Sequence, residues 1–278
     1  MQIRFDCHVH THHSPCGKDD ATLERLARRI RDAGTLRWGV TDHLFTERNV
    51  PDLEAARQEF DALDHEGRAV FAVEASVLRT WDIKQTRTTG NIWGYHPGGP
   101  KGTLDLYLPD DLVERLGIRY VIAGAHWPLG AKMNRRDVVR DYHRQNMFLA
   151  RHPGVDVIAH PWWWRAEFAT ACGVPVPFPW LEDFSIIPRS MHDEFAAAAR
   201  ENGKRVEINA SNMLTRNYSE RWHEEYLEYL VGLKQAGCTF ATGSDSHGPD
   251  YDPPPQRMTD ILVRAGFTED DFWTGPEE

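Results

Sequence analysis

Short apolar runs rich in β-branched residues alternate with longer amphipathic segments from one end of the chain to the other. The short runs are typical of buried strands, and apolar positions that recur every three or four residues are typical of helices packed on one side. The predicted strands are Gln2–His8, Arg37–Thr41, Ala69–Glu74, Tyr120–Ala125, Val155–Ala159, Arg205–Asn209 and Thr239–Thr242. The predicted helices are Leu23–Ala33, Leu53–His65, Arg135–Arg151, Ser190–Asn202 and Glu220–Ala236. This alternation predicts an α/β fold with parallel strands joined by helical crossovers.

Two stretches break the alternation. Arg79–Leu108 is rich in glycine, threonine and aromatic residues, and Trp162–Arg189 is rich in proline and tryptophan. Both follow the carboxyl ends of predicted strands, where the loops of a β/α barrel build the active-site face. We therefore expect insertions that shape a pocket rather than linkers between domains, and residues 1–278 are predicted to form one domain.

The composition is that of a soluble globular protein, and nothing in it indicates a membrane or secreted protein. Hydrophobic residues make up 41% of the 278 positions and charged residues 27%, and no apolar run reaches the roughly 20 residues that span a bilayer. The first residues enter a strand-like run without a leader pattern. The four cysteines are scattered, with no CxxC pair. These features predict a cytoplasmic protein without a membrane partner, and they leave its oligomeric state open.

The charge balance argues against a nucleic-acid partner without excluding one. The formal net charge is −10, and no block of lysine or arginine is present to neutralise a phosphate backbone. The 14 histidines are the unusual feature of the composition. Histidine is the side chain most often recruited as a metal ligand or proton shuttle, so the positions of the histidines bear on the function.

Residue types that bind metals stand at the ends of six predicted strands. They are His8 with His10, Asp42 with His43, Glu74, His126, His160, and Asp245 with His247. The carboxyl ends of parallel barrel strands lie at one mouth, so these side chains are expected to meet. Alternation along an extended chain lets His8 and His10 share one ion. Imidazole and carboxylate ligands suit zinc, manganese or iron, and the sequence predicts a multinuclear site for two or three such ions.

The same residues, in this order, resemble the PHP (polymerase and histidinol phosphatase) family, most of all its histidinol-phosphatase branch. The motifs are DxHxHT at Asp6–Thr11, TDH at Thr41–His43, Glu74, His126, AHP at Ala159–Pro161, EIN at Glu207–Asn209 and SDSH at Ser244–His247. Together they cover nearly the whole chain. The resemblance implies a distorted (β/α)7 barrel, related to TIM barrels, with up to three metal ions.

The resemblance also implies a ligand set for each ion. His8, His10, Glu74 and Asp245 would hold the first, Glu74, His126 and His160 the second, and His43 and His247 the third. Cys16 stands where histidinol-phosphatase members complete the third site with histidine. A thiolate binds zinc well, but as a plain loop residue Cys16 would leave two ions, and His12 and His13 are then the fallback ligands.

Two arginines are similar in position to those that reach substrate phosphate in that branch. Arg165 follows His160 by five residues, and Arg216 follows the EIN motif. A guanidinium fork suits a phosphate group. A surface loop position is the alternative interpretation, most of all for Arg216. The neighbouring run Trp162–Trp164 either lines the pocket or caps the barrel.

The function that we expect is hydrolysis of a small phosphomonoester by a hydroxide that bridges two ions. His247, His43 and Asp245 are the predicted catalytic residues, and His247 or His43 would protonate the leaving alkoxide if the third ion is absent. Three alternatives stay open. They are a hydrolase of carbon–nitrogen or carboxyl-ester bonds, a nuclease or phosphodiesterase of the same family, and a metal-binding protein without catalytic activity.

Overall fold

The structure is a computed structural model that describes residues 1, 4–63, 66–164, 183–210, 218–251 and 254–277, apart from the side chains of 254–257. The strands are β1 (Phe5–Val9), β2 (Arg37–Val40), β3 (His43–Leu44), β4 (Ala69–Phe71), β5 (Val73–Ser76), β6 (Leu78–Arg79), β7 (Leu104–Asp105), β8 (Val121–Gly124), β9 (Val157–Ile158), β10 (Arg205–Asn209) and β11 (Thr239–Gly243). The α-helices are α1 (Leu23–Asp32), α2 (Val50–Ala62), α3 (Thr80–Thr89), α4 (Asp110–Arg115), α5 (Arg135–Arg151), α6 (Arg189–Glu201), α7 (Glu220–Gln235) and α8 (Pro254–Arg264).

Nine of these strands form one curled parallel sheet, in the order β3-β5-β8-β9-β10-β11-β1-β2-β4. Strand β2 pairs with β4, and a few residues later β3 pairs with β5. Because β2 runs into β3 and β4 runs into β5, the two ends of this order belong to neighbouring stretches of chain. The predicted α/β class with a parallel sheet is confirmed. The sheet has seven strands if β2 and β3 are counted as one strand and β4 and β5 as another. The barrel of seven strands stays a prediction.

All five predicted helices are present, with ends that differ by up to three residues from the prediction. Helices α3, α4 and α8 were not predicted. The first two are short segments inside or beside an insertion, and α8 begins at Pro254, whose fixed backbone angle suits a first helical turn although prolines usually signal a loop. Among the described residues, no helix has both the length and the apolar character that a membrane crossing requires.

The insertion Arg79–Leu108 is more ordered than the predicted irregular loop. It contains α3, and β6 and β7 pair in antiparallel fashion across it. Arg79 is buried, and its guanidinium donates to both carboxylate oxygens of Asp82 and to the carbonyl of His96 at 2.8 Å. A buried charge is tolerated when it is paired and hydrogen-bonded in this way, so this ion pair fixes the path of the insertion.

The concave side of the sheet is filled by side chains from strands that are not neighbours. The hydroxyl of Tyr120, next to β8, donates to the carbonyl of Cys7 on β1 at 2.7 Å. A Cβ at Gly39 on β2 would overlap that hydroxyl. Phe5 packs edge-on against the Tyr120 ring at 5.8 Å. These contacts close the interior below the carboxyl ends of the strands, which leaves those ends free to carry the polar residues described next.

Candidate metal centre

The histidines and carboxylates predicted at strand ends meet at one place. His8 lies on β1, His43 begins β3 and Glu74 lies on β5. The others follow a strand by one to four residues: His10, His126, His160, Asp245 and His247. All except His247 are buried, and the His247 side chain is 34% exposed. His247 therefore marks the side from which the cluster opens to solvent.

In a first group of four ligand atoms, five of the distances between them are close to those of a tetrahedral site. His8 Nε2 lies 3.0 Å from His10 Nε2, 3.3 Å from Glu74 Oε2 and 3.5 Å from Asp245 Oδ1. His10 Nε2 lies 3.4 Å from the same Glu74 oxygen and 3.3 Å from the same Asp245 oxygen. A tetrahedral zinc ion with bonds of about 2.0–2.1 Å separates its ligand atoms by about 3.3–3.4 Å. The donor atoms therefore fit one ion between them.

A second group shares Glu74 with the first. Glu74 Oε1 lies 3.1 Å from His126 Nε2 and 3.1 Å from His160 Nε2. The other oxygen of the same carboxylate belongs to the first group. Because each oxygen faces a different set of imidazoles, Glu74 has the arrangement of a carboxylate that bridges two ions.

A third group contains the cysteine. The ligand atoms of His10, Cys16, His43 and His247 lie within 4.8 Å of one another. Cys16 Sγ lies 3.1 Å from His43 Nε2, and the other nitrogen of His43 lies 2.7 Å from Glu74 Oε2. The sequence left open whether Cys16 is a ligand or a plain loop residue. The structure brings its sulfur to the histidines, and its role as a ligand stays a prediction.

The charge states of these groups suit a cation. Burial opposes ionisation of Glu74 and Asp245, but the surrounding histidines hold the pKa of both carboxyls well below the usual range. Burial, together with the charges of His247 and His43, lowers the pKa of His10 well below its ordinary value, so that its ring is neutral. The pKa of His8 is raised although burial lowers it, because Asp245, Glu207 and Glu74 surround it. The carboxylates therefore carry the negative charge that a metal ion requires, and an ion bound here would take the place of the proton that they hold on His8.

Two comparisons relate the sequence and the fold of this chain to known proteins. The chain is 25% identical over 245 residues to a probable phosphatase of Acetivibrio thermocellus, which covers 88% of this chain and 80% of the relative. Its fold matches a crystal structure of histidinol phosphate phosphatase from Lactococcus lactis, complexed with zinc, L-histidinol and phosphate. That match has a TM-score of 0.64 and 14% identity, over 95% of this chain and 94% of the other.

The chain shares the fold of that phosphatase. The similarity to a probable phosphatase agrees with the resemblance that the motifs indicate, and the shared fold agrees with the fold that the resemblance implies. No family model matches the chain. The individual roles of the site residues stay predictions, and the geometry described above is what supports them.

The thiol of Cys16 provides a direct test of the third group. Burial raises the pKa of this thiol, but His43 and His247 outweigh that effect and bring the pKa to about 6. The metal-free protein should therefore carry a reactive thiolate at pH 7.5, whereas a bound ion should protect it. Iodoacetamide labelling, followed by mass spectrometry of the Cys16 peptide, should be at least about tenfold slower in zinc-loaded than in chelator-treated protein.

The buried thiols of Cys7 and Cys238 serve as internal controls, because burial raises the pKa of both. Their labelling should be slow with and without zinc. Equal labelling of Cys16 in the two states would mean that Cys16 is a plain loop residue. His43 and His247 would then be better described as acid–base groups.

Glu207 and Asn209 hold the ligands in place, a role that the sequence did not reveal. Glu207 Oε1 lies 2.8 Å from His8 Nδ1, so a proton on Nδ1 leaves Nε2 free to face the first group. Glu207 Oε2 accepts from the backbone N–H of His160 at 2.6 Å, and the Asn209 amide donates to Asp245 Oδ2 at 3.1 Å. The EIN motif was the sequence signal that pointed to these two residues, but it did not indicate which side chains they contact.

Two of the ligand residues have a strained backbone conformation. His160 has a φ of 26° and Asp245 a φ of 53°, both in the left-handed region that favours glycine. Such a conformation costs about 1–3 kcal/mol for another residue and is found where the surrounding structure enforces it. The hydrogen bond from His160 N to Glu207, and one of 2.8 Å from Asp245 N to the carbonyl of His8, supply that constraint.

Two further carboxylates of the motifs bind backbone instead of joining the ligand groups. Asp42 accepts from the backbone N–H of Thr11 at 2.7 Å and from its hydroxyl at 2.6 Å. Asp6 accepts from the N–H of Ser244 at 2.9 Å and from the Tyr251 hydroxyl at 2.8 Å. Burial raises the pKa of Asp6 to about 6. These carboxylates hold the loops that carry the ligands.

The run Trp162–Trp164 lies partly beside the second group and partly in the hydrophobic core. The Trp163 ring lies 5.5 Å from the His126 ring and 5.2 Å from the His160 ring, so it forms a wall beside the second group. Trp162 and Trp164 are each 1% exposed and pack in the main hydrophobic core.

The remaining predicted residues are the two arginines and the two fallback ligands. Arg165 and Arg216 lie outside the described residues. The fallback ligands His12 and His13 lie beside Glu59, in a separate cluster.

Proposed function

We propose that this protein is a metal-dependent hydrolase that cleaves small phosphomonoesters. The observation that carries the proposal is the set of three groups of ligand atoms at the carboxyl ends of the strands, joined through Glu74. The similarity to a probable phosphatase, and to the fold of a phosphatase crystallised with zinc and phosphate, supports phosphate as the substrate group. A barrel of seven strands, contained in a single domain of 278 residues, belongs to the same proposal.

His8, His10, Glu74 and Asp245 would hold the first ion, and Glu74, His126 and His160 the second. Cys16, His43 and His247 would hold a third. When bound, divalent ions such as zinc, manganese or iron supply Lewis-acid stabilisation of phosphoryl charge and lower the pKa of water. The two buried carboxylates fix the positions of the ions and offset their charge.

His247 is the residue that we propose as general acid when only two ions are held. Burial opposes its protonation, but Asp245 and the Cys16 thiolate raise the pKa of His247 to about 9. Its Nδ1 lies 2.8 Å from the carbonyl of Asp245, which orients the ring. A protonated imidazole at the exposed side of the cluster can donate a proton to a leaving alkoxide. With a third ion present, His247 would act as a ligand instead.

The proposal is tested by metal analysis combined with a screen of phosphate release. Treatment with a chelator should abolish activity, and zinc, manganese or iron should be tried for its recovery. Phosphomonoesters, phosphodiesters, amides and carboxyl esters should be compared at equal concentration. Activity on monoesters that depends on at least two ions per chain supports the proposal. Preference for diesters, amides or carboxyl esters would replace it with one of the other hydrolase functions.

Arg165 is proposed to bind the phosphate, because it follows the ligand His160 by five residues. Arg165→Ala should lower kcat/KM for a phosphomonoester by about 100-fold, since a charge-assisted contact in a dry site contributes a few kcal/mol. Lysine should restore only part of the activity, because it lacks the planar fork. Steady-state kinetics on monoester and diester substrates, with metal content measured in parallel, checks this prediction.

Arg28 provides a matched control, because it is an exposed helix residue paired with Glu24. Arg28→Ala should leave kcat/KM unchanged. The metal content should be full in both variants, since arginine is not a ligand. Full activity of Arg165→Ala would remove the argument that this residue selects phosphomonoesters.

A further inference from the structure

A second cluster of metal-binding side chains lies apart from the three groups described above. It consists of His12 and His13, in the turn after β1, and Glu59 on α2, with ligand atoms within 4.8 Å of one another. His13 Nε2 lies 2.7 Å from Glu59 Oε2, and His12 Nε2 lies 3.6 Å from the same oxygen. The two imidazole rings are 4.0 Å apart. Two imidazoles therefore converge on one carboxylate oxygen.

Hydrogen bonds to residues outside the cluster hold these three residues in position. The N–H of His12 donates to the carbonyl of Ala21 at 3.0 Å, and the N–H of His13 donates to the Thr11 hydroxyl at 3.1 Å. The second oxygen of Glu59 accepts from the N–H of Leu23, the first residue of α1, at 3.0 Å. The cluster is therefore preorganised, because binding an ion would require little rearrangement of its ligands.

The cluster is open to solvent, unlike the buried groups. The side chains of His12, His13 and Glu59 are 27%, 17% and 30% exposed. His12 Nδ1 is buried and has no hydrogen-bond partner within the described part of the chain. His12 Nε2 is beyond hydrogen-bond distance of Glu59. A hydrogen bond to Glu59, such as His13 forms, therefore does not account for the orientation of the His12 ring. A shared ion would account for it.

We propose that His12, His13 and Glu59 form an accessory site for a divalent transition-metal ion, with zinc as the ion to test first. Two imidazoles and one carboxylate are a ligand set that zinc takes with water in the fourth position. Because the site has three protein ligands and faces solvent, its ion should exchange more readily than those of the buried groups. The ion would join the turn after β1 to α2 and, through Glu59, to the start of α1.

The test counts zinc ions in the full-length protein by titration against a competing chromophoric chelator. Wild-type protein should bind one equivalent more than Glu59→Gln and one more than His13→Ala. Glutamine keeps an oxygen that can accept from Leu23 N–H and loses the ligand carboxylate, so Glu59→Gln separates metal binding from helix capping. Circular dichroism should confirm that both variants are folded.

His143 supplies the control, because its Nε2 forms a comparable pair with Glu194 at 2.9 Å outside the clusters of three. His143→Ala should bind as many zinc ions as the wild type. If folded Glu59→Gln and His13→Ala also bind as many as the wild type, the accessory site does not exist, and His13 and Glu59 form an ion pair only. The proposed phosphatase activity is measured separately and does not depend on this result.

Discussion

Glu74→Gln is expected to lower phosphomonoesterase activity by about a thousandfold and to weaken metal binding at two groups together. Both carboxylate oxygens are used: Oε2 faces His8 and His10, and Oε1 lies 3.1 Å from His126 and from His160. The amide of glutamine has one oxygen and no negative charge, so it cannot replace the carboxylate as a ligand of both groups. A bound metal contributes several kcal/mol of transition-state stabilisation, and a loss of about 4 kcal/mol corresponds to about a thousandfold.

His126→Ala separates the bridging role from simple loss of a ligand. His126 belongs to the second group and not to the first. Elemental analysis should therefore find about one equivalent fewer in His126→Ala and about two fewer in Glu74→Gln, relative to the wild type. A Glu74→Gln protein that keeps its full metal content would show that the carboxylate does not bridge two ions.

The ligand positions could be predicted because two simple regularities act together. Parallel strands bring their carboxyl ends to one edge, and most of the candidate ligands stand near or just after such an end, as His8 and His126 do. Neither regularity requires knowledge of side-chain contacts. This is why residues as distant as His8 and Asp245 could be expected to meet, whereas their assignment to one group came from the family resemblance; the two ligand atoms lie 3.5 Å apart.

The contacts of Glu207 could not be predicted in the same way. They depend on which side chains meet across strands, and on the absence of a side chain at Gly243 on the neighbouring strand. The buried Arg79–Asp82 pair is a comparable case. Its sequence is that of an exposed loop, and burial of the pair depends on the path of the whole insertion. Periodicity describes one segment at a time and contains no information on such contacts.

The contacts of Glu74 suit a metal ligand, and those of Glu207 suit a residue that positions ligands. Glu74 faces imidazole Nε2 atoms on both sides, whereas Glu207 meets the opposite nitrogen of His8 and a backbone N–H. A carboxylate behind a ligand histidine fixes its tautomer and its orientation, and removing it typically costs 10–100-fold in metal affinity or activity. Glu207 reaches two of the ligand residues, so its loss should affect the first and second groups together.

Gly243→Ala is the sharpest test of that positioning role. A Cβ at this position would overlap Glu207 Oε1 and would lie 2.7 Å from the Cβ of His8, so Glu207 or β1 must move. Zinc affinity should fall by about 10–100-fold, and saturating zinc should restore part of the lost activity. Competition titration with a chelator, and kcat measured as a function of free zinc, provide the measurement. Glu207→Gln should show the same dependence on zinc without any added bulk.

Gly232→Ala is the matched control, because the nearest atom to its added methyl group, Arg189 Nη2, is 3.9 Å away in α7. It should bind zinc as the wild type does. Two results together would assign Glu207 a purely structural role. Saturating zinc would leave the activity loss of Gly243→Ala unchanged, and Glu207→Gln would bind zinc with wild-type affinity. Recovery by zinc in both variants is what positioning requires, because the ligand atoms are all still present and only their arrangement has been disturbed.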